Sequence, residues 1–90
     1  MKISFDPPKR ERTLRERGLD FADAQEVFSA PNYRFTDDRF DYREKREVAV
    51  GYLRGRMVVI VWTQRGHVRH IISMRKANER EQEKYRRYLD

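Results

Sequence analysis

Three arginines, two histidines and a serine fall within residues 65–75, RGHVRHIISMR, directly after the apolar run MVVIVW and the pair Thr63-Gln64. A strand, a tight turn and a second strand fit this pattern, and alternate side chains of a strand share a face. Arg69, Ile71, Ser73 and Arg75 then lie on one side, and Val68, His70, Ile72 and Met74 on the other. Two guanidinium groups on one strand, with Arg65 in the preceding turn, suggest an anion site without specifying one, since the planar fork pairs bidentately with phosphate and stacks on bases. RNA cleavage without a metal needs little more. The substrate supplies its own 2′-hydroxyl, while the protein orients it, neutralises charge on the phosphate and moves two protons. Arginines on a rigid sheet suit the charge, and Lys9 or His67 suits the proton transfer. His67 also has a plainer reading, as a turn histidine on the surface. His70, on the apolar face by parity, reads as a satisfied structural histidine, and Trp62 as core rather than as a base-stacking platform.

Other chemistries find less support. The chain has no cysteine, so it has no disulfide, no thiolate nucleophile and no cysteine-bound zinc. Its four glycines are scattered, and none builds a phosphate-cradling loop. Ser29 and Ser73 have no His–acid pair close in sequence. Asp37, Asp38, Asp41 and Glu44 raise the question of a metal, but the calcium-loop glycine is absent and arginines interleave the acids. A salt-bridged loop is expected there. No metal or other cofactor is expected.

Ninety residues make one domain spanning positions 1–90. Val, Ile, Leu and Phe supply 20 of the 90 residues, just enough for a small core. The charge of +6 is uneven: residues 1–19 carry +3, residues 20–47 carry −3 and residues 48–90 carry +6. A basic hairpin and C-terminal segment beside an acidic middle fits a domain that binds a polyanion, and equally a well-solvated surface. Arginine outnumbers lysine 16 to 5, which favours nucleic acid. The longest apolar stretch, Met57 to Trp62, is far too short to cross a membrane, and no signal peptide is visible, so a soluble cytoplasmic protein is expected.

The elements follow from local signals. Lys2 to Phe5 is a strand candidate. Asp6-Pro7-Pro8 starts a helix that ends near Arg17 at Gly18. Asp20 and Asp23 cap a second helix, whose Phe21, Ala24, Val27 and Phe28 form an apolar stripe stopped by Pro31. Strands are expected over Tyr33–Phe40, Glu47–Leu53, Arg56–Thr63 and His67–Arg75, with turns at Arg54-Gly55 and Gln64-Arg65-Gly66. Counting through the turns places Val48, Val50, Tyr52, Met57, Val59 and Val61 with Arg69 and Arg75. The face bearing Ala49, Leu53, Val58, Ile60, Trp62 and His70 packs on the helices. A last helix is capped by Asn78 with Glu81 three residues on. The expected class is α+β: a small antiparallel sheet with two N-terminal helices and one C-terminal helix.

The stretches FDPPKRERTLRERGLDFADAQEVF, DDRFDYREKR, AVGYLRGR, VVIVWTQRG and RHIISMRKANEREQEKY, in this order, resemble the BrnT family of toxins from type II toxin–antitoxin systems. The likeness covers nearly the whole chain. Two departures are visible: Glu16-Arg17-Gly18 stands where the family commonly has Lys-His-Gly, and Asp41-Tyr42-Arg43-Glu44 where it has Asp-Tyr-Gly-Glu. The resemblance implies a RelE-like fold, an endoribonuclease that arrests translation, and neutralisation by a DNA-binding antitoxin of the BrnA type. The complex, and the toxin only through its antitoxin, is expected on operator DNA, with RNA as substrate and no membrane partner. On matching motif positions Lys9, Arg65, Arg69 and Arg75 are the expected phosphate or transition-state contacts. His67, Lys76 and Arg80 join them as RNA contacts. The competing readings are a non-catalytic basic module that binds nucleic acid or a partner, and a subunit whose chief role is to fold with an antitoxin.

Overall fold

The computed structural model describes residues 2–39 and 43–90. Its elements are β1 (Lys2–Phe5), α1 (Pro7–Arg17), a 3-10 turn (Phe21–Asp23), α2 (Ala24–Phe28), β2 (Asn32–Asp37), β3 (Arg46–Leu53), β4 (Arg56–Arg65), β5 (Val68–Lys76) and α3 (Glu79–Leu89). The class is α+β as expected, with two corrections. The sheet is mixed: its order is β1-β5-β4-β3-β2, and β1 runs parallel to β5 while the other neighbours are antiparallel. The second N-terminal helix is a 3-10 turn followed by five residues of α-helix, because Pro31 cuts the apolar stripe short. The expected end of β2 at Phe40 lies outside the described residues, as does Asp41.

Capping chemistry sets the helix ends. Gly18 adopts the left-handed conformation (φ 68°) and its N–H donates to the Leu14 carbonyl, closing α1 and turning Leu19 into the core. Asp20 accepts from the Ala22 N–H and pairs with Arg10 at 2.7 Å, tying the turn to α1. Asn78 and Glu81 form a reciprocal capping box at the start of α3. Asp6 precedes α1 without a side-chain cap; Pro7 in the first turn removes one donor that would need one.

Strand β4 is the middle of the molecule. Met57, Val58, Val59 and Ile60 are all buried, so both faces of the sheet are covered. One face holds Ala49, Leu53, Val58, Ile60, Trp62, Ile71 and Met74 against Leu19, Phe21 and α2. The other holds Val48, Val50, Met57 and Val59 against Ala77 and Tyr85 of the C-terminal segment.

The hairpin joining β4 and β5 differs from simple alternation. Val61 pairs with Ser73 but Trp62 pairs with Ile71, so Ile72 is an extra residue, a β-bulge. Beyond the bulge every side chain of β5 changes sides. Ile71 and Met74, three residues apart, both lie in the first core. Arg69 and Ile71 therefore leave the face of Ser73 and Arg75, while His70 moves to it. The connecting turn also tightens: Arg65 pairs with Val68, leaving Gly66 (φ 62°) and His67 as a two-residue loop in place of the expected three.

Gly51 fixes how closely α2 approaches the sheet. A Cβ there would stand 2.8 Å from Val27 Cγ1 and 3.2 Å from the Asn32 Cβ. Gly51→Ala is therefore expected to destabilise the domain by about 1–3 kcal/mol through overpacking. Urea denaturation checks this, and an unchanged midpoint would show that α2 can move away freely.

Candidate active-site groove

Helix α1 carries Lys9, Arg12, Thr13, Glu16 and Arg17 at i, i+3, i+4, i+7 and i+8, so all five share one face. That face borders a groove of about 420 Å³. Across it stand Asp37 and Arg39 at the end of β2, Arg46 of β3, Val61 of β4, and Ile72, Ser73 and Arg75 of β5. Six cations meet two carboxylates there, Glu16 and Asp37. Lys9 and Arg12 enter no ion pair among the described residues. A larger hollow of about 660 Å³ is lined by α3 and its cap Asn78 alone, with no second element to close on a ligand.

The groove is held from several sides. Arg17 Nη1 donates to the Met74 carbonyl at 3.0 Å, pinning the end of α1 onto β5. Asp37 is buried and accepts from Arg39 Nε at 2.9 Å. Glu81 receives Arg75 end-on, with Nη1 at 2.7 Å and Nη2 at 2.8 Å. This pairing raises the pKa of Arg75, and the same hydrogen bonds hold the Glu81 carboxyl below its ordinary value. Arg75 keeps its Nε–H and a second Nη2 hydrogen for an anion. A second groove of about 390 Å³ continues from Val61, Asp37, Arg39 and Arg75 toward Phe35, Lys84 and Tyr85. One trough thus crosses this face from α1 to α3. Among the described residues no cluster of three or more His, Cys, Asp or Glu side chains is arranged to hold a metal.

The structure brings only two of the expected catalytic residues together, Lys9 and Arg75. Arg65 stands outside the groove and pairs with Glu44 at 2.8 Å, as a salt-bridged loop would have it. Arg69 is on the opposite face, with its guanidinium carbon 4.3 Å from the centre of the Phe28 ring. Sharing a face with Arg75, the premise for grouping them, fails because of the bulge at Ile72. His67 is exposed in the hairpin turn. Lys76 lies beside Ala77, Arg56 and Arg86 in a separate hollow, and Arg80 sits on the outer surface of α3.

His70 is partly buried, and its Nδ1 is 2.9 Å from Ser4 Oγ. Burial, then the charge of Arg65, pushes its pKa down. Its ring has a hydrogen-bond partner as expected, but it lies on the other face. The charged groove residues absent from the expected set are Arg12, Glu16, Arg17, Asp37, Arg39 and Arg46. The stripe on α1 could have been found by applying helical spacing to charged residues as well as to apolar ones.

The Arg75–Glu81 pair gives a test of this geometry. Glu81 ordinarily titrates at 4.5 and is held lower in the folded chain, chiefly by Arg75 and further by the Asn78 N–H. A depressed carboxylate contributes stability that is present above its unfolded value and lost as pH falls through the folded one. Glu81→Gln is expected to cost about 0.5–1 kcal/mol at neutral pH, discounted for exposure. That difference should shrink as pH falls below 4.5. Urea denaturation across pH reads it; a gap independent of pH would mean that the pair contributes nothing.

Against the curated proteins the chain shows no match. The family model described as ribonuclease toxin, BrnT, of type II toxin-antitoxin system matches residues 5–81, a span that includes the α1 stripe, the bulged hairpin and Glu81. The chain belongs to the BrnT family of ribonuclease toxins.

Proposed function

We propose that the chain is a metal-independent endoribonuclease that works in the cytoplasm, inhibits translation by cutting RNA, and is neutralised by an antitoxin of the BrnA type. The observation that carries this reading is the groove in which six cations face two carboxylates. Such a surface attracts a phosphodiester and repels a divalent cation. Lys9, Arg12 and Arg75 neutralise the charge that builds on the phosphate as the 2′-oxygen attacks. Glu16 is the exposed carboxylate within reach of the same space and takes the 2′-hydroxyl proton. The Lys9 ammonium returns a proton to the departing 5′-oxygen. The P–O5′ bond breaks as the P–O2′ bond forms, leaving a 2′,3′-cyclic phosphate.

The partner and the wider architecture extend the same reading. We infer a RelE-like fold from the family resemblance and from a sheet whose trough is bordered by α1 and α3. Operator DNA would be reached through the antitoxin, as the family resemblance implies.

Cleavage of single-stranded RNA in EDTA is the direct assay. The unaltered chain should cut, and Lys9→Ala or Arg75→Ala should lose about 100-fold or more in kcat, as expected when one charge-stabilising donor is removed. Full activity in both variants, or cutting that requires added magnesium, would overturn the mechanism. Salt-sensitive binding with no product would point to a binding module instead. Growth arrest on expression, relieved by the neighbouring gene, tests the antitoxin.

A further inference from the structure

On the face opposite the groove two arginines converge without an acid. Arg69, from β5, lies 4.3 Å from the centre of Phe28 and 6.0 Å from that of Trp62. Arg34, from β2, lies 5.5 Å and 5.8 Å from the same two rings. The rings are fixed against each other, edge to face, with centroids 5.0 Å apart. Arg34 Nε is oriented by Asn32 Oδ1 at 2.7 Å. Neither guanidinium meets a carboxylate among the described residues.

This arrangement is costly for the free protein. Two like charges share one aromatic floor, and Arg69 is half-buried. Burial and the charge of Arg34 both pull its pKa down. Cation–π contact offsets part of that cost. An arriving oxyanion would offset the repulsion between the two guanidinium groups.

We propose that Arg34 and Arg69, laid over Phe28 and Trp62, form a second phosphate site that holds the RNA strand beyond the groove. The site rests on the nuclease reading above and extends it. Its connection to the groove runs around the tip of the β4–β5 hairpin. Gln64, Arg65, Gly66 and His67 there are all exposed, and Arg69 stands directly across from Gln64. After burial, the charges of Arg65 at the tip and Lys9 in the groove both lower the pKa of His70, with Glu44 and Asp6 acting the other way. Arg69 and Arg75 are separated by about 20 Å of strand at roughly 3.3 Å per residue. The two sites therefore hold different phosphates of one chain. Repeating phosphates favour RNA over a protein acid, which would need to place a carboxylate at this one point only.

The test uses the full chain, a trinucleotide and a longer single-stranded RNA. In the double variant Arg34→Met, Arg69→Met the aliphatic cover over the rings is kept and the charge removed. KM for the longer RNA should rise about tenfold or more with kcat unchanged, and KM for the trinucleotide should not move. The slope of log KM against log salt should fall by about 1.4, one phosphate for each guanidinium. Thermal unfolding confirms that the variant is folded, and Arg34→Lys, Arg69→Lys should recover the salt slope. An unchanged KM and slope for the longer RNA would overturn the site. So would a loss confined to antitoxin affinity, which would assign the pair to a protein carboxylate. Should the unaltered chain not cleave at all, the nuclease reading fails by itself. Direct binding of the same oligonucleotide then decides this site, through the same fall in salt slope.

Discussion

Burial of β4 on both faces is the constraint from which the rest of the molecule follows. A strand that reads MVVIV cannot leave either side to water, so helical segments must close over both. The 3-10 turn and α2 cover one side with Phe21, Val27 and Phe28. The C-terminal segment covers part of the other with Ala77 and Tyr85. That second cover is incomplete, because α3 is amphipathic along one narrow side only. The strip it leaves open between itself and α1 is the trough. The buried Thr63 hydroxyl, donating to the Lys45 carbonyl at 2.8 Å, anchors the segment before β3 to the same strand.

Within this frame, charge is distributed by pairing rather than by count. Of the hairpin arginines, Arg65 is held by Glu44, Arg75 shares itself with Glu81, and Arg69 is laid over aromatic rings. A phosphate approaching the groove therefore meets Lys9 and Arg12 as ready cations, and Arg75 as one whose carboxylate partner also caps α3. Glu81 Oε1 accepts from both Arg75 and the Asn78 N–H, so the start of α3 and the guanidinium of Arg75 on β5 are coupled through one carboxylate. An anion that draws Arg75 away would leave Glu81 to its cap alone. The helix would still hold, since a capping box is worth about 1 kcal/mol without the ion pair.

Residue patterns carried the element order, the Arg54-Gly55 turn, the place but not the length of the second hairpin turn, the α1 stop at Gly18 and the Asn78 cap, since each depends on neighbours in sequence. Two things were out of reach. Parallel pairing of β1 with β5 joins Lys2–Phe5 to residues more than sixty positions away, and nothing local encodes it. The bulge at Ile72 was equally hidden. RHIISMR alternates well enough for either register, and only packing of Ile71 and Met74 into one core decides the matter. One inserted residue then moved Arg69 to the far side of the sheet. The charged stripe of α1, by contrast, was present in the spacing of Lys9, Arg12, Glu16 and Arg17 but carried no apolar signal to draw attention to it.

That stripe also bears on the departure of this chain from its family pattern at Arg17. Where the family resemblance implies a histidine, an imidazole could carry a proton near neutral pH. Arginine cannot, because its guanidinium stays protonated. In the fold Arg17 instead acts as a strut, donating to the Met74 carbonyl next to the groove residues Ser73 and Arg75. The bond lies at the C-terminal end of α1, where a cation is also favoured by the helix dipole. It fixes the distance between α1 and β5, hence the width of the groove. In the proposed mechanism, proton transfer must then rest on groups that can change protonation and still face the same space. Among the described lining residues, Glu16 and Lys9 lie on the α1 side of the groove, across from Ser73 and Arg75 of β5. In the proposed mechanism the acid–base work therefore falls to Glu16, one residue back from Arg17, and to Lys9, about two turns up the helix.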